Sequence, residues 1–191
     1  MSDQKQVTEM DPKESKKNIE NIEEEVTEEP SPNQDRLDRI VELIKTNIAE
    51  DAIEVAFINE LDRDLPCIVI RSPYWVKTAM LLKESELLKL NYLRNVSGID
   101  FETHFEVVYY LLSMSTGNQL DVCIKVKADR ENPSIPSITS VWNTANWNER
   151  EIYDLLGVQF PGHPNLKRIM MPDDWEGHPL RKDYEPIDPE V

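Results

Sequence analysis

Leu37, Ile40, Val41, Ile44 and Ile48 fall at i, i+3, i+4, i+7 and i+11, one apolar stripe of an amphipathic helix that Asn33 or Asp35 could cap. Two short apolar runs follow at residues 53–58 and 65–70, separated by the charged turn 59–64, and read as strands. Ser72-Pro73 opens a second helix to about Lys83, with Trp75, Val76, Ala79, Met80 and Leu82 on its apolar side. Phe105, Val107, Tyr109 and Leu111 then alternate with a mixed second face. Leu120, Val122, Ile124 and Val126 do the same across the loop 113–119, which makes an antiparallel hairpin. Pro133 and Pro136 close this section, and residues 138–142 open a helical stretch. Asn146-Trp147-Asn148-Glu149 has capping-box character, with Asn146 at the N-cap, and Gly157 supplies a left-handed stop. The pattern predicts an α/β fold of the α+β type: a two-layer domain over residues 34–160, with helices on a mixed sheet.

Both ends depart from this periodicity. Residues 1–33 hold ten acidic and four basic side chains, no aromatics, and the linker Pro30-Ser31-Pro32; they read as a disordered acidic arm. Residues 161–191 contain six of the thirteen prolines, which excludes a long helix or a central strand. Yet Leu166, Ile169, Met170, Met171, Trp175, Leu180 and Tyr184 are too apolar for a solvated tail. An extended, Pro-broken segment with large apolar anchors is an interaction strap for a protein partner.

The formal charge of −16 on 191 residues argues against nucleic-acid binding and against adhesion to anionic lipid. The longest apolar stretch, residues 107–112, is far short of a bilayer span, and the first twenty residues lack a signal core, so a soluble, cytosol-facing chain is expected. Cys67 and Cys123 stand 56 positions apart in strand-like runs and read as ordinary buried thiols, too few for a four-cysteine cluster. Neither GxGxxG nor GxxxxGK[ST] occurs.

Candidate chemistry concentrates between Asn146 and Tyr184. Arg150 and Asp154 are spaced to pair at i, i+4. Glu151 shares a stripe with Trp147 and Leu155; it is either a surface charge or a buried carboxylate needing a cation such as Arg168, Arg181 or Lys182. His163, His178 and Asp173 would be the ligands of a small metal-dependent hydrolase, although their spacing fits no standard motif.

The run Glu149-Arg150-Glu151-Ile152-Tyr153-Asp154-Leu155-Leu156-Gly157, then His163-Pro164-Asn165-Leu166-Lys167-Arg168-Ile169-Met170, resembles the signature of the C subunit of NADH-quinone oxidoreductase, the 30 kDa subunit family of respiratory complex I. The likeness continues through Trp175, His178, Arg181, Lys182, Asp183 and Tyr184, and upstream through residues 105–115 and 136–142. It implies a structural subunit without an active site of its own, in a proton-translocating complex that passes electrons from NADH to quinone. FMN, iron–sulfur clusters and quinone would belong to partner subunits, and no cofactor or metal to this chain. The resemblance also implies a peripheral place on the cytoplasmic side of the inner (plasma) membrane, against the D and B subunits and further hydrophilic-arm subunits. Glu149, Arg150, Glu151, Asp154, His163, Lys167, Arg168, Trp175, Arg181, Lys182 and Asp183 would serve assembly and electrostatic anchoring. The same subunit role in a complex fed by ferredoxin, reduced deazaflavin or a hydrogenase is the alternative.

Overall fold

A computed structural model describes residues 31–114 and 121–185; the expected acidic arm up to residue 30 and most of the hairpin loop lie outside the described residues. Helix α1, Gln34–Asn47, buries Leu37, Ile40 and Ile44 as its stripe requires. Asn33 sits at its N-cap, but its side chain does not cap the helix. It donates to the Asp64 carbonyl at 2.9 Å and ties the helix start to the turn between the first two strands.

Strands β1 (Ile53–Asn59) and β2 (Leu65–Ile70) pair antiparallel around a 3-10 turn, Glu60–Asp62. Every residue of β2 is buried, as befits a strand with neighbours on both sides. A 3-10 turn at Ser72–Tyr74 carries Pro73, so helix α2 begins two residues later than expected and spans Trp75–Glu84. Its buried face is Trp75, Thr78, Ala79 and Leu82, whereas Met80, expected inside, is exposed.

Strand β3, Tyr92–Asp100, has no counterpart in the sequence pattern. It is one of the two edges of the sheet, with a register shift between Leu93 and Asn95, so its buried side chains do not keep a strict period of two. Strands β4 (His104–Leu112) and β5 (Asp121–Asp129) form the expected antiparallel pair. The sheet order is β1-β2-β5-β4-β3, and β5 runs parallel to β2. Five strands of mixed direction carrying three helices make an α+β fold.

Phe105, Val107, Tyr109 and Leu111 of β4 and Val122, Ile124 and Val126 of β5 share one core with residues of all three helices. The opposite face of the sheet holds a separate small cluster of Leu65, Cys67, Val108 and Cys123, with Tyr110 against it. Residues 138–142 form a turn, not the start of a helix: the Val141 and Trp142 N–H groups both donate to the Ile138 carbonyl. Helix α3, Ala145–Leu156, follows. It packs over β3 at Gly98, where a Cβ would stand 2.5 Å from Leu156 Cδ1, so a bare backbone sets the depth of the contact.

Candidate functional site

Helix α3 ends at Gly157, whose φ of 78° is the left-handed conformation glycine adopts without strain. The last four carbonyls of any helix lack intrahelical partners. Here the Gly157 N–H donates to the Tyr153 carbonyl at 2.9 Å, while chain well beyond the helix reaches the other three. His178 Nδ1 and Arg168 Nη1 donate to the Asp154 carbonyl at 2.9 and 3.1 Å. The Leu180 N–H donates to Leu155 at 3.0 Å, and Arg181 Nε to Leu156 at 2.7 Å. Two guanidinium groups thus lie at the negative end of the helix. A Cβ on Gly157 would come within 2.6 Å of both the Arg181 and His178 side chains, so the glycine is needed for space as well as conformation.

Asp154, fully buried, joins these elements. One carboxylate oxygen accepts from Arg168 Nη1 at 2.6 Å; the other accepts the consecutive N–H groups of Ile169, Met170 and Met171 at 2.8, 2.7 and 2.9 Å. Burial alone would push this carboxyl up. The N–H groups of Met171 and Ile169, the Arg168 guanidinium and the Met170 N–H outweigh it and hold the group at about 2. Arg168 spends its other terminal nitrogen on the Trp175 and Gly177 carbonyls, at 2.9 and 3.0 Å. The i, i+4 pairing expected of Arg150 with Asp154 is therefore replaced: a flat guanidinium 14 residues away, joined by three N–H groups, satisfies the carboxylate, and Arg150 is directed elsewhere.

Arg150 instead donates to the Lys167 and Arg168 carbonyls at 3.2 and 3.1 Å, with its guanidinium 5.0 Å from the Trp147 ring centre. The Lys167 side chain itself is left exposed. His163 contacts the Asn146 carbonyl through Nε2 at 3.1 Å and accepts the Asn165 N–H at Nδ1, which fixes the proton on Nε2. Further along, the Lys182 N–H donates to Asp100 and Asp183 accepts from Arg130 at 2.8 Å, while Arg130 also pairs with Asp100. Asp100 and Arg130 carry no sequence signal for this role, because Asp100 ends the strand that the pattern does not reveal.

Glu149 occupies a different environment from the capping box expected of it, and Glu151 takes the surface one of its two alternatives. Asn146 lies inside α3, so Glu149 makes no capping box. Its fully buried carboxylate accepts from Ser137 Oγ at 2.6 Å and from the Ile138 N–H at 2.9 Å. Burial pushes it up to about 7, against the pull of those two hydrogen bonds. Glu151 is exposed, because the stripe it shares with Trp147 and Leu155 faces outward while Ala145, Glu149, Ile152 and Leu156 face in. Arg168, Arg181 and Lys182, its candidate partners, are bound elsewhere.

The two histidines of the hydrolase reading contact separate carbonyls of α3, Asn146 and Asp154, and Asp173 lies exposed on a turn. Among the described residues no group of three or more His, Cys, Asp or Glu is placed to hold a metal. No helix among them is long and apolar enough to cross a membrane. What this arrangement does chemically is fix backbone: the Arg168, His178 and Arg181 side chains and the N–H groups of residues 169–171, 180 and 182 turn inward, while Met170, Trp175 and Leu180 remain 63%, 37% and 60% exposed and Trp147 63%. Beside Leu180 runs a groove of about 280 Å³ lined by Gly98, Ile152, Leu155, Leu156 and the exposed Glu151.

Residues 68–190 match the family model described as the respiratory-chain NADH dehydrogenase 30 Kd subunit. A protein of Moorella thermoacetica, named as the C subunit of NADH-quinone oxidoreductase, is 41% identical over 140 residues, covering 67% of this chain and 93% of that one. Its namesake in Roseiflexus sp. (strain RS-1) is 47% identical over 119 residues, covering 61% and 67%. Among solved structures, the trypsin-resistant fragment (1-134) of Nqo5 is 28% identical with a TM-score of 0.54, covering 69% of this chain and 99% of the fragment. A chain of the archaeal membrane-bound sulfane sulfur reductase shares the fold alone, with a TM-score of 0.64 at 18% identity over 81% of this chain and 88% of its own.

Proposed function

The chain belongs to the 30 kDa subunit family of the respiratory-chain NADH dehydrogenase, and we propose from that premise that it is a structural subunit whose C-terminal segment docks on neighbouring subunits. The observation that carries the reading is the division of labour within residues 167–183. Their backbone and arginines are committed to α3, and their large apolar side chains are not. Exposed Met, Trp and Leu side chains on an anchored backbone lose little conformational freedom when a partner covers them.

In this reading the partners are the D and B subunits of NADH-quinone oxidoreductase, with further hydrophilic-arm subunits alongside. The chain sits peripherally on the cytoplasmic side of the membrane. Electrons pass from NADH through FMN and iron–sulfur centres to quinone in those partners, and none of the signature residues of this chain takes part in the chemistry. Their work is the one the geometry supports: Asp154, Arg168, Arg150 and Arg181 hold the segment in shape, and Trp147, Met170, Trp175 and Leu180 are its contacts.

The test is the double variant Met170→Asp, Leu180→Asp, expressed with the other subunits and recovered from membranes through a tag on this chain. Co-recovery of the D and B subunits should fall at least about tenfold, equivalent to about 1.4 kcal/mol of lost affinity. The thermal midpoint of the isolated variant should stay unchanged, because both side chains are solvent-facing. Normal recovery of both partners would overturn the docking role.

A further inference from the structure

Cys67 and Cys123 meet on the sheet face turned away from the helices. They are direct partners in the parallel ladder between β2 and β5, and both side chains point to the same face. Adjacent strands lie about 4.8 Å apart, within the Cα separation of about 4.4–6.8 Å that a disulfide bridges. Both thiols are buried, side by side, beneath Leu65, Val108 and Tyr110. Lys125, two residues beyond Cys123 on the same face, is ion-paired with Glu106 at 3.1 Å. In the primary structure the pair is invisible, because 56 residues separate its members.

We propose that Cys67 and Cys123 form a reversible oxidation site, closing to an intramolecular disulfide between β2 and β5 when the chain meets a peroxide. Lys125 lies on the same face, and its charge favours the thiolate of either cysteine. In the proposed reaction Cys67 attacks first and Cys123 resolves. In the first step the Cys67 thiolate attacks one peroxide oxygen and the O–O bond breaks. The departing hydroxide takes up the proton Cys67 released, leaving water and a sulfenic acid on Cys67. In the second, the Cys123 sulfur attacks the Cys67 sulfur, the S–O bond breaks, and the hydroxyl leaves as water with the Cys123 proton. Two thiols and one peroxide thus give one disulfide and two waters. Drawing the Cβ atoms from ladder spacing to the roughly 3.8 Å of a disulfide strains the strands, which favours ready reduction.

The full chain, treated with hydrogen peroxide and then unfolded in iodoacetamide, decides the matter by mass spectrometry of the peptides carrying the two cysteines. Oxidation of the exposed Met170 reports that the dose was sufficient. The untreated chain should show both cysteines alkylated. The treated chain should show a single cross-linked peptide pair, two hydrogens lighter and unalkylated, that dithiothreitol returns to two alkylatable thiols. Cys123→Ser, lacking the resolving thiol, should leave a Cys67 sulfenic acid that dimedone traps. Full alkylation of both cysteines after a dose that oxidises Met170 overturns the proposal. So do higher acids on Cys67 beside an alkylated Cys123, or cross-links only between chains.

Discussion

Asp154 and Glu149 stand five residues apart on one helix, both without solvent exposure, and their protons respond in opposite directions. Asp154 is held near 2, below its ordinary 3.8, so its stabilising contribution is complete above about 4 and is lost as pH falls through 2. That contribution is about 2 kcal/mol. Glu149 is raised from 4.5 to about 7, so the folded state holds its proton where the unfolded chain has released it. Stability from this group is greatest below about 4.5 and declines as pH rises to about 7, by about 3 kcal/mol. Across pH 5 to 8 the denaturant midpoint should therefore fall relative to that of Glu149→Gln, in which the lowered His178 group, stabilising as pH rises, remains; equal slopes would show that Glu149 does not titrate in this range. Asp154→Ala removes the acceptor of three N–H groups and a guanidinium and should cost about 3 kcal/mol in urea unfolding. The sequence sets the three carboxylates in different local patterns, a capping box for Glu149, a pair with Arg150 for Asp154 and a stripe with Trp147 and Leu155 for Glu151, and the side on which α3 meets β3 decides which of them are buried.

Among the elements, α1, α2 and the β4–β5 hairpin were legible because each turns a periodic apolar face to the same core, and β1 and β2 because they are short apolar runs bounded by a charged turn. The edge strand β3 was not: with Leu93, Val96 and Asp100 its only fully buried residues, it offers neither alternation nor a helical stripe. The turn at 138–142 misled for the opposite reason, since Ile138, Val141 and Trp142 are all buried at helical spacing by a single tight turn. The end of α3 was marked by Gly157, but the sequence holds no hint that Arg181 and His178 crowd it. Gly157→Ala combines a disfavoured φ with a clash against both side chains and should cost about 2 kcal/mol or more. Thermal unfolding would read this as a lower midpoint. The same variant should raise proteolysis within residues 167–183 ahead of the domain, and uniform susceptibility would place the loss in the core instead.

At the scale of the molecule, the two-layer architecture followed from hydrophobic periodicity, whereas the C-terminal segment is recognisable only as too apolar for a tail and too rich in proline for a helix. Its inward ties to Asp154, Leu155, Leu156 and Asp100 run over 14 to 82 residues of sequence separation, beyond any local pattern. Those ties let one face of the segment be rigid and the other remain available. Hydroxyl-radical footprinting of the isolated chain and of the complex purified from membranes distinguishes the two faces. Trp147, Met170 and Trp175 should label strongly in the isolated chain and become protected in the complex, while the exposed Leu61, far from the segment in sequence, labels equally in both. Equal labelling of Trp147, Met170 and Trp175 in the two samples would contradict the account.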